Sequence, residues 1–187
     1  MSGWIEGRVL ENRHWTPALF SLRVEAPALA FEAGQFVRIA LDIGEGGAVE
    51  RVARPFSFVN APADPVLEFY GVVVPGGPLS PRLAELAAGD RLLVADNPSG
   101  WLVLSEVPAA EDLWMVATGT GLAPFLSILL AGECWRRYRR VILVHGARNA
   151  GEFTYGDLLA RIAREHGEAF RCVRVASREG VGQWTVH

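Results

Sequence analysis

Two short segments in the first half of the chain carry residue types suited to holding a ligand. Arg54-Pro55-Phe56-Ser57-Phe58 lies on an alternating stretch, so Arg54 and Phe56 share one face of a predicted strand. A cation beside an aromatic ring suits a ligand that joins a phosphate to a flat ring system. The plainer reading is an ordinary strand with one exposed arginine. Gly76-Gly77-Pro78-Leu79-Ser80 leads into a predicted short helix. Glycines let a backbone approach a ligand closely, and a helix start offers N–H groups and partial positive charge, which together make a phosphate cradle. A capped helix after a turn is the plainer alternative.

Two further segments lie in the second half. Ala117-Thr118-Gly119-Thr120-Gly121-Leu122-Ala123-Pro124 comes close to the Gly-x-Gly-x-x-Gly pattern, with Pro124 in place of the third glycine. It stands between a buried-type strand and an apolar helix, the context that a dinucleotide-binding turn requires, and proline is well placed at a helix start. His145-Gly146-Ala147-Arg148 ends the next such strand. In a doubly wound sheet an acid at that place bonds a ribose 2′-hydroxyl, whereas an arginine accommodates a 2′-phosphate. The sequence puts Arg148 there and no acid, and Arg178 follows the third strand. Two surface arginines are the alternative, and composition strengthens it, because all 18 basic residues are arginine. His145 reads as structural rather than catalytic.

The elements that position these segments fall into two rhythms. Ile5–Leu10, Phe20/Leu22/Val24, Val37/Ile39/Leu41, Phe56/Phe58, Leu67/Phe69 with Val72/Val74, and Arg91–Ala95 read as about six short strands bounded by turn residues. That pattern predicts an antiparallel barrel or sandwich. One helix interrupts it, with Ser80 as N-cap, Pro81 in the first turn and Gly89 as its stop. From about Val107 the order becomes strand, helix, strand, helix, strand: Leu113–Ala117, a helix to Leu130, Val141–Val144, Tyr155–Glu165 and Phe170–Val175. Such alternation predicts a parallel sheet with crossover helices. It runs out after three strands, and Ser105–Asp112 reads as the linker.

Composition bounds the function. The 187 residues are 50% hydrophobic with a net charge of −3, which excludes intrinsic disorder. No apolar run reaches the ~18 residues of a membrane span, and the N-terminus lacks the order of a signal peptide. Cys134 and Cys172 form no metal-ligand spacing and read as reduced, cytoplasmic thiols. Residues 1–105 carry 8 Arg against 12 acids, net −4, and residues 106–187 carry 10 Arg against 9 acids, net +1. Neither half is basic enough for nucleic-acid binding. The run Arg136-Arg137-Tyr138-Arg139-Arg140 reads either as a docking patch for an acidic protein or as charge complementing a helix C-terminus.

In this order and spacing the four motifs resemble the ferredoxin/flavodoxin–NADP reductase family, most closely its bacterial branch, from Trp4 to Arg178. Arg54-Pro55-Phe56-Ser57 is similar to the family's Arg-x-Tyr-Ser flavin motif, with Phe56 for Tyr. Tyr70-Gly71-Val72-Val73-Val74 and Gly77-Pro78-Leu79-Ser80-Pro81-Arg82-Leu83 resemble the segments that line the isoalloxazine and hold the FAD pyrophosphate. Ala117 to Gly121 resembles the nicotinamide-side loop. Ala147-Arg148 and Ser177-Arg178-Glu179 resemble positions that bind the 2′-phosphate of NADP.

The resemblance implies a six-stranded antiparallel FAD-binding β-barrel over 1–104, followed by a truncated parallel α/β NADP-binding domain over 105–187. It implies electron transfer between NADPH and ferredoxin or flavodoxin through FAD, by a cytoplasmic monomer whose partner is an acidic electron-transfer protein. No metal, nucleic acid or membrane is involved. Ser57 is expected beside the flavin, and Thr118 and Thr120 between flavin and nicotinamide, with Gly119 and Gly121 in the same loop. The family's further strand, its Cys-Gly-x-Pro segment and its C-terminal aromatic residue have no counterpart in these 187 residues. Alternatives are a flavin reductase or diaphorase, a reductase component of an oxygenase, or a flavin-binding module without turnover. No Cys-x4-Cys-x2-Cys cluster is present.

Overall fold

Alternating apolar residues build the first half of the structure. The computed structural model describes residues 3–44 and 49–179, and the backbone of 184–186. The strands β1 (Trp4–His14), β2 (Leu19–Glu25), β3 (Phe36–Ile43), β4 (Glu50–Ser57), β5 (Val66–Val72) and β6 (Arg91–Ala95) form one antiparallel sheet in the order β4-β3-β6-β1-β2-β5. A register shift between Val9 and Glu11 lets β1 bend so that it pairs with both β2 and β6. The curled sheet closes on Phe20, Leu22, Val24, Val37, Ile39, Phe58, Phe69 and Val94, all buried. The alternation that predicts six strands therefore matches six strands, with Leu67 through Val72 in one of them.

The two ends of this sheet, β4 and β5, meet only in part. Phe58 bridges to Phe69, and the Val59 N–H donates to the Glu68 carbonyl at 2.8 Å. Before that bridge, residues 54–57 and 70–72 face each other across a gap.

The helix α1 (Ser80–Glu85) follows β5. Ser80 is its first residue and not its cap: Leu79 holds that place, and the Ser80 hydroxyl accepts a bond from the Val74 N–H at 2.9 Å. That bond pins the Gly-rich turn. The helix also stops at Glu85 and not at Gly89, which lies in the turn before β6 with φ +98°. Its last carbonyls are satisfied from the barrel, where the Asn12 amide donates to Leu83, Ala84 and Leu86 at 3.2, 2.9 and 2.8 Å.

In the second half β7 (Asp112–Thr118), β8 (Arg140–Ala147) and β9 (Phe170–Ala176) are parallel neighbours. A further strand that the sequence pattern does not signal, β10 (Trp184–Val186), pairs antiparallel with β9. The helices are α2 (Ala123–Ala131), α3 (Glu133–Arg137) and α4 (Gly156–His166). β7 reads as a strand buried on both sides, yet only Leu113, Met115 and Ala117 are buried; Trp114 and Val116 are 63% and 66% exposed. One face of this edge strand is open among the described residues.

The halves share a core. Leu19, Val59 and Tyr70 of the barrel pack in the same cluster as Leu122, Leu126, Leu143 and Tyr155. The buried Ser127 hydroxyl of α2 donates to the Asn60 carbonyl at 2.7 Å. No helix among the described residues is long and apolar enough to cross a membrane.

Candidate functional site

Where β4 and β5 part, a cleft of about 540 Å³ opens. One wall is Arg54, Pro55, Phe56 and Ser57; the other is Tyr70, Gly71, Val72 and Val74. Gly77, Pro78, Leu79 and Ser80 form one end, and Thr120, Gly121 and Ala123 reach in from the α/β half. Alternation alone would place Arg54 and Phe56 on the cleft and turn Pro55 and Ser57 away. All four line it because β4 is an edge strand and presents its rim. The structure thus gathers residues from three of the four segments singled out in the sequence.

Packing fixes the walls. Gly71 stands opposite Phe20, and a Cβ on Gly71 would lie 2.7 Å from Phe20 Cζ and 3.0 Å from Phe56 Cε1. This glycine is needed for close approach of a barrel-core ring, Phe20, and a cleft ring, Phe56. At Gly119 (φ +51°) and Gly121 an added Cβ meets nothing within 4 Å, so the loop backbone is open on that side. The Arg54 guanidinium is exposed on the rim and donates to the Ala53 carbonyl at 2.7 Å. Aromatic walls, an arginine, a glycine turn and backbone rims fit a flat ring system carrying a diphosphate, and the volume lies in the range of organic cofactor sites.

Of the residues expected at the flavin and in the nicotinamide-side loop, Val73, Thr118 and Gly119 do not line the cleft. Val73 packs against the barrel core and its N–H donates to the Ala18 carbonyl, because alternation turns it away from its neighbours Val72 and Val74. Thr118 ends β7 outside the cleft lining, with its methyl against Gly146. Ala123, at the end of the glycine segment, also lines the cleft; only the fold brings the start of α2 to the barrel seam.

The 2′-phosphate candidates do come together. The Ser177 N–H donates to the Ala147 carbonyl at 2.9 Å, and the Arg178 N–H to the Arg148 carbonyl at 2.8 Å. The sequence puts no acid at this strand end, but the fold brings two. Glu152 accepts from the Arg148 N–H at 3.2 Å and from the Asn149 amide at 3.4 Å, and Glu179 accepts from the Ala150 N–H at 2.9 Å. These carboxylates hold the loop, and the arginines stand in a mixed field.

Beneath the glycine loop lies His145, fully buried and level with Ala117. Neither ring nitrogen has a hydrogen-bond partner among the described residues. Burial pushes its pKa down to about 4, against an opposing pull from the Gly119 backbone. It is neutral at pH 7, in keeping with a structural role.

A polar clasp at the seam between the halves had no sequence signal. The buried Thr154 hydroxyl donates to the Tyr70 hydroxyl oxygen at 3.0 Å, and the Tyr155 hydroxyl donates to Glu68 Oε1 at 2.8 Å. Burial raises the pKa of Tyr70, Tyr155 and Glu68. Tyr155 has φ +55°, a left-handed conformation that costs an L residue roughly 1–2 kcal/mol.

The arginine run is also less free than its sequence implies. It does not end α2, which stops before Gly132 (φ +80°), but Arg136 and Arg137 form the last turn of α3. Arg137 donates to the Leu104 carbonyl and to the Val107 carbonyl of the linker, and Arg140 pairs bidentately with Asp112 at 2.7 and 2.6 Å. Arg136 and Arg139 are the exposed remainder. Cys134 and Cys172 are buried free thiols, the first pushed up to about 12 by burial.

Comparison with known proteins gives one consistent picture. The family model described as the oxidoreductase NAD-binding domain matches residues 115–187. The chain is 47% identical over 179 residues to a flavodoxin/ferredoxin–NADP reductase of Escherichia coli, covering 96% of this chain and 71% of that protein. A ferredoxin NADP+ reductase from Neisseria gonorrhoeae, solved with bound FAD and NADP, superposes with a TM-score of 0.86 at 33% identity, over 96% of this chain and 70% of the other. A cytochrome P450 reductase from Amycolatopsis superposes at 0.77 with 32% identity, over 94% of this chain and 52% of the other.

Proposed function

The chain belongs to the flavodoxin/ferredoxin–NADP reductase family, and from that premise we propose that it transfers electrons between NADPH and a ferredoxin or flavodoxin, with FAD held in the seam cleft. The observation that carries this reading is the convergence of Arg54–Ser57, Tyr70–Val72, Gly77–Ser80 and Thr120–Gly121 on one cavity.

Residues 1–104 hold the flavin and residues 105–187 the nicotinamide dinucleotide. Arg54 and the backbone at Leu79 and Ser80 take the diphosphate. Phe56, Tyr70 and Gly71 shape the walls for the ring, and the Ser57 hydroxyl bonds its edge. Losing the hydroxyl of the family's tyrosine at Phe56 removes a bond worth about 1 kcal/mol, so binding is weakened and not abolished. The open backbone of Gly119 and Gly121, with Thr118 and Thr120, receives the nicotinamide end. Ala147, Arg148 and Arg178 receive the 2′-phosphate.

Bound FAD supplies the conversion between two-electron and one-electron transfer. The protein binds, orients and excludes water, and no nucleophile or carboxylate pair is required. Two buried free cysteines agree with a reducing, cytoplasmic setting. The exposed Arg136 and Arg139 offer positive charge to an acidic partner.

The likeness to the Amycolatopsis reductase favours a second reading, in which the same flavin cleft feeds an oxygenase. Only the acceptor differs between the two.

FAD titration of the apoprotein tests the site. The wild type is expected to retain flavin through gel filtration, and Arg54→Ala to retain less. Unchanged flavin content in the variant removes Arg54 from the diphosphate site.

A further inference from the structure

Tyr70 lines the cleft, yet it is only 3% exposed, and its hydroxyl is buried in the seam between the halves. A buried hydroxyl needs a partner. Its partner is the hydroxyl of Thr154, itself 2% exposed, on the segment between β8 and α4. The orientation of a cleft wall in the barrel half is therefore held by a residue of the other half.

The surrounding contacts show that this is a built arrangement. Glu68 and Tyr70 are two apart on β5 and so share a face. Thr154 and Tyr155 are adjacent, and in an extended chain their side chains would point to opposite sides. The left-handed backbone at Tyr155 breaks that alternation, and both residues bond to the same face of β5. Tyr155 also meets the Tyr70 ring edge-on, at 5.3 Å and 83°, and the Trp15 ring at 4.6 Å. Tyr70 is held at its hydroxyl by Thr154 and at its ring by Tyr155.

We propose that Thr154 is a positioning residue for the flavin: through its hydroxyl on Tyr70 it sets the aromatic wall of the cleft from the nucleotide-binding half. The proposal rests on the reading that the cleft holds FAD. The same connection begins at Arg148 and runs through Glu152 to Thr154, so one segment carries a phosphate candidate at one end and the support of the flavin wall at the other.

The test is a double-mutant cycle on full-length chain loaded with FAD, read by the dissociation constant for FAD and by the absorbance band shape and fluorescence of the bound flavin. Thr154→Val and Tyr70→Phe each remove the bond, and each is expected to weaken FAD binding by about two- to tenfold and to alter the flavin spectrum in the same sense. The double variant is expected to match the single ones, and Thr154→Ser to restore wild-type behaviour. Unchanged affinity and spectrum in Thr154→Val, or effects that add in the double variant, overturn the proposal. If Thr154→Val fails to fold, Tyr70→Phe reads the bond from the other side, and an unchanged flavin in that variant overturns it equally. Wild-type protein that takes up no FAD overturns the functional reading, and this proposal with it; wild-type protein that binds FAD while the variants match it overturns this proposal alone.

Discussion

The seam cleft and the arginine pair at the ends of β8 and β9 are both candidate binding places, but they are built differently. The cleft is walled by packed rings and strand rims, and a single added carbon at Gly71 would collide with the core ring of Phe20 and crowd the wall ring of Phe56. The arginine pair is exposed, joined through backbone hydrogen bonds, and interleaved with Glu152 and Glu179. The first place is pre-shaped and intolerant of volume change. The second is a set of charges whose balance decides preference. Damage to the cleft should cost cofactor retention, and damage to the pair should cost discrimination between two dinucleotides.

The largest effect expected lies beneath the loop that links the two places. His145 has a folded pKa of about 4 against an ordinary 6.5, so the unfolded chain takes the proton first as pH falls. The stability it contributes is complete above pH 6.5 and is lost between 6.5 and 4, by about 3 kcal/mol. Glu68, whose pKa is raised, works with the opposite sign over its own window. Urea midpoints of wild type and His145→Gln across this range isolate the histidine, and the variant should lose that part of the slope. Equal slopes would contradict a buried neutral imidazole.

Gly71→Val attacks the cleft directly. Overpacking costs about 1–3 kcal/mol, and the displaced Phe56 ring should empty the site of flavin. Wild-type flavin content in this variant would break the contrast, because the cleft would then be as adaptable as the arginine pair.

Arg148→Ala is the smallest of the three. A charge-assisted bond is worth about 1.5–3 kcal/mol, and the neighbouring carboxylates put the expected loss at the lower end, about tenfold in kcat/KM for NADPH. NADH should be nearly unaffected. Equal loss with both cofactors shows that Arg148 does not read the 2′-phosphate.

Legibility followed the range of the interactions. The barrel strands were readable because each buries alternate residues, as at Val37 and Ile39, and the glycine turn at 119–121 because strand, turn and helix adjoin in sequence. Ser80 was misplaced as a cap because its hydroxyl bonds to Val74 across the turn, which local propensity does not encode. Val73 was assigned to the cleft by motif, while the period-two rule turns it inward. Thr154 and Tyr155 carry no sequence signal because their partners, Tyr70 and Glu68 more than 80 positions away, are defined only when the halves pack. β10 carries three residues and too little periodicity to announce itself.

The central claim is that the seam cleft holds a flavin which NADPH can reduce and a protein acceptor can reoxidise. The direct measurement is the visible absorbance of the FAD-loaded protein under anaerobic conditions, first with NADPH or NADH and then with oxidised ferredoxin or flavodoxin. The account predicts bleaching that is faster with NADPH than with NADH, and recovery of the absorbance on adding the acceptor. Bound flavin whose absorbance NADPH leaves unchanged would contradict it.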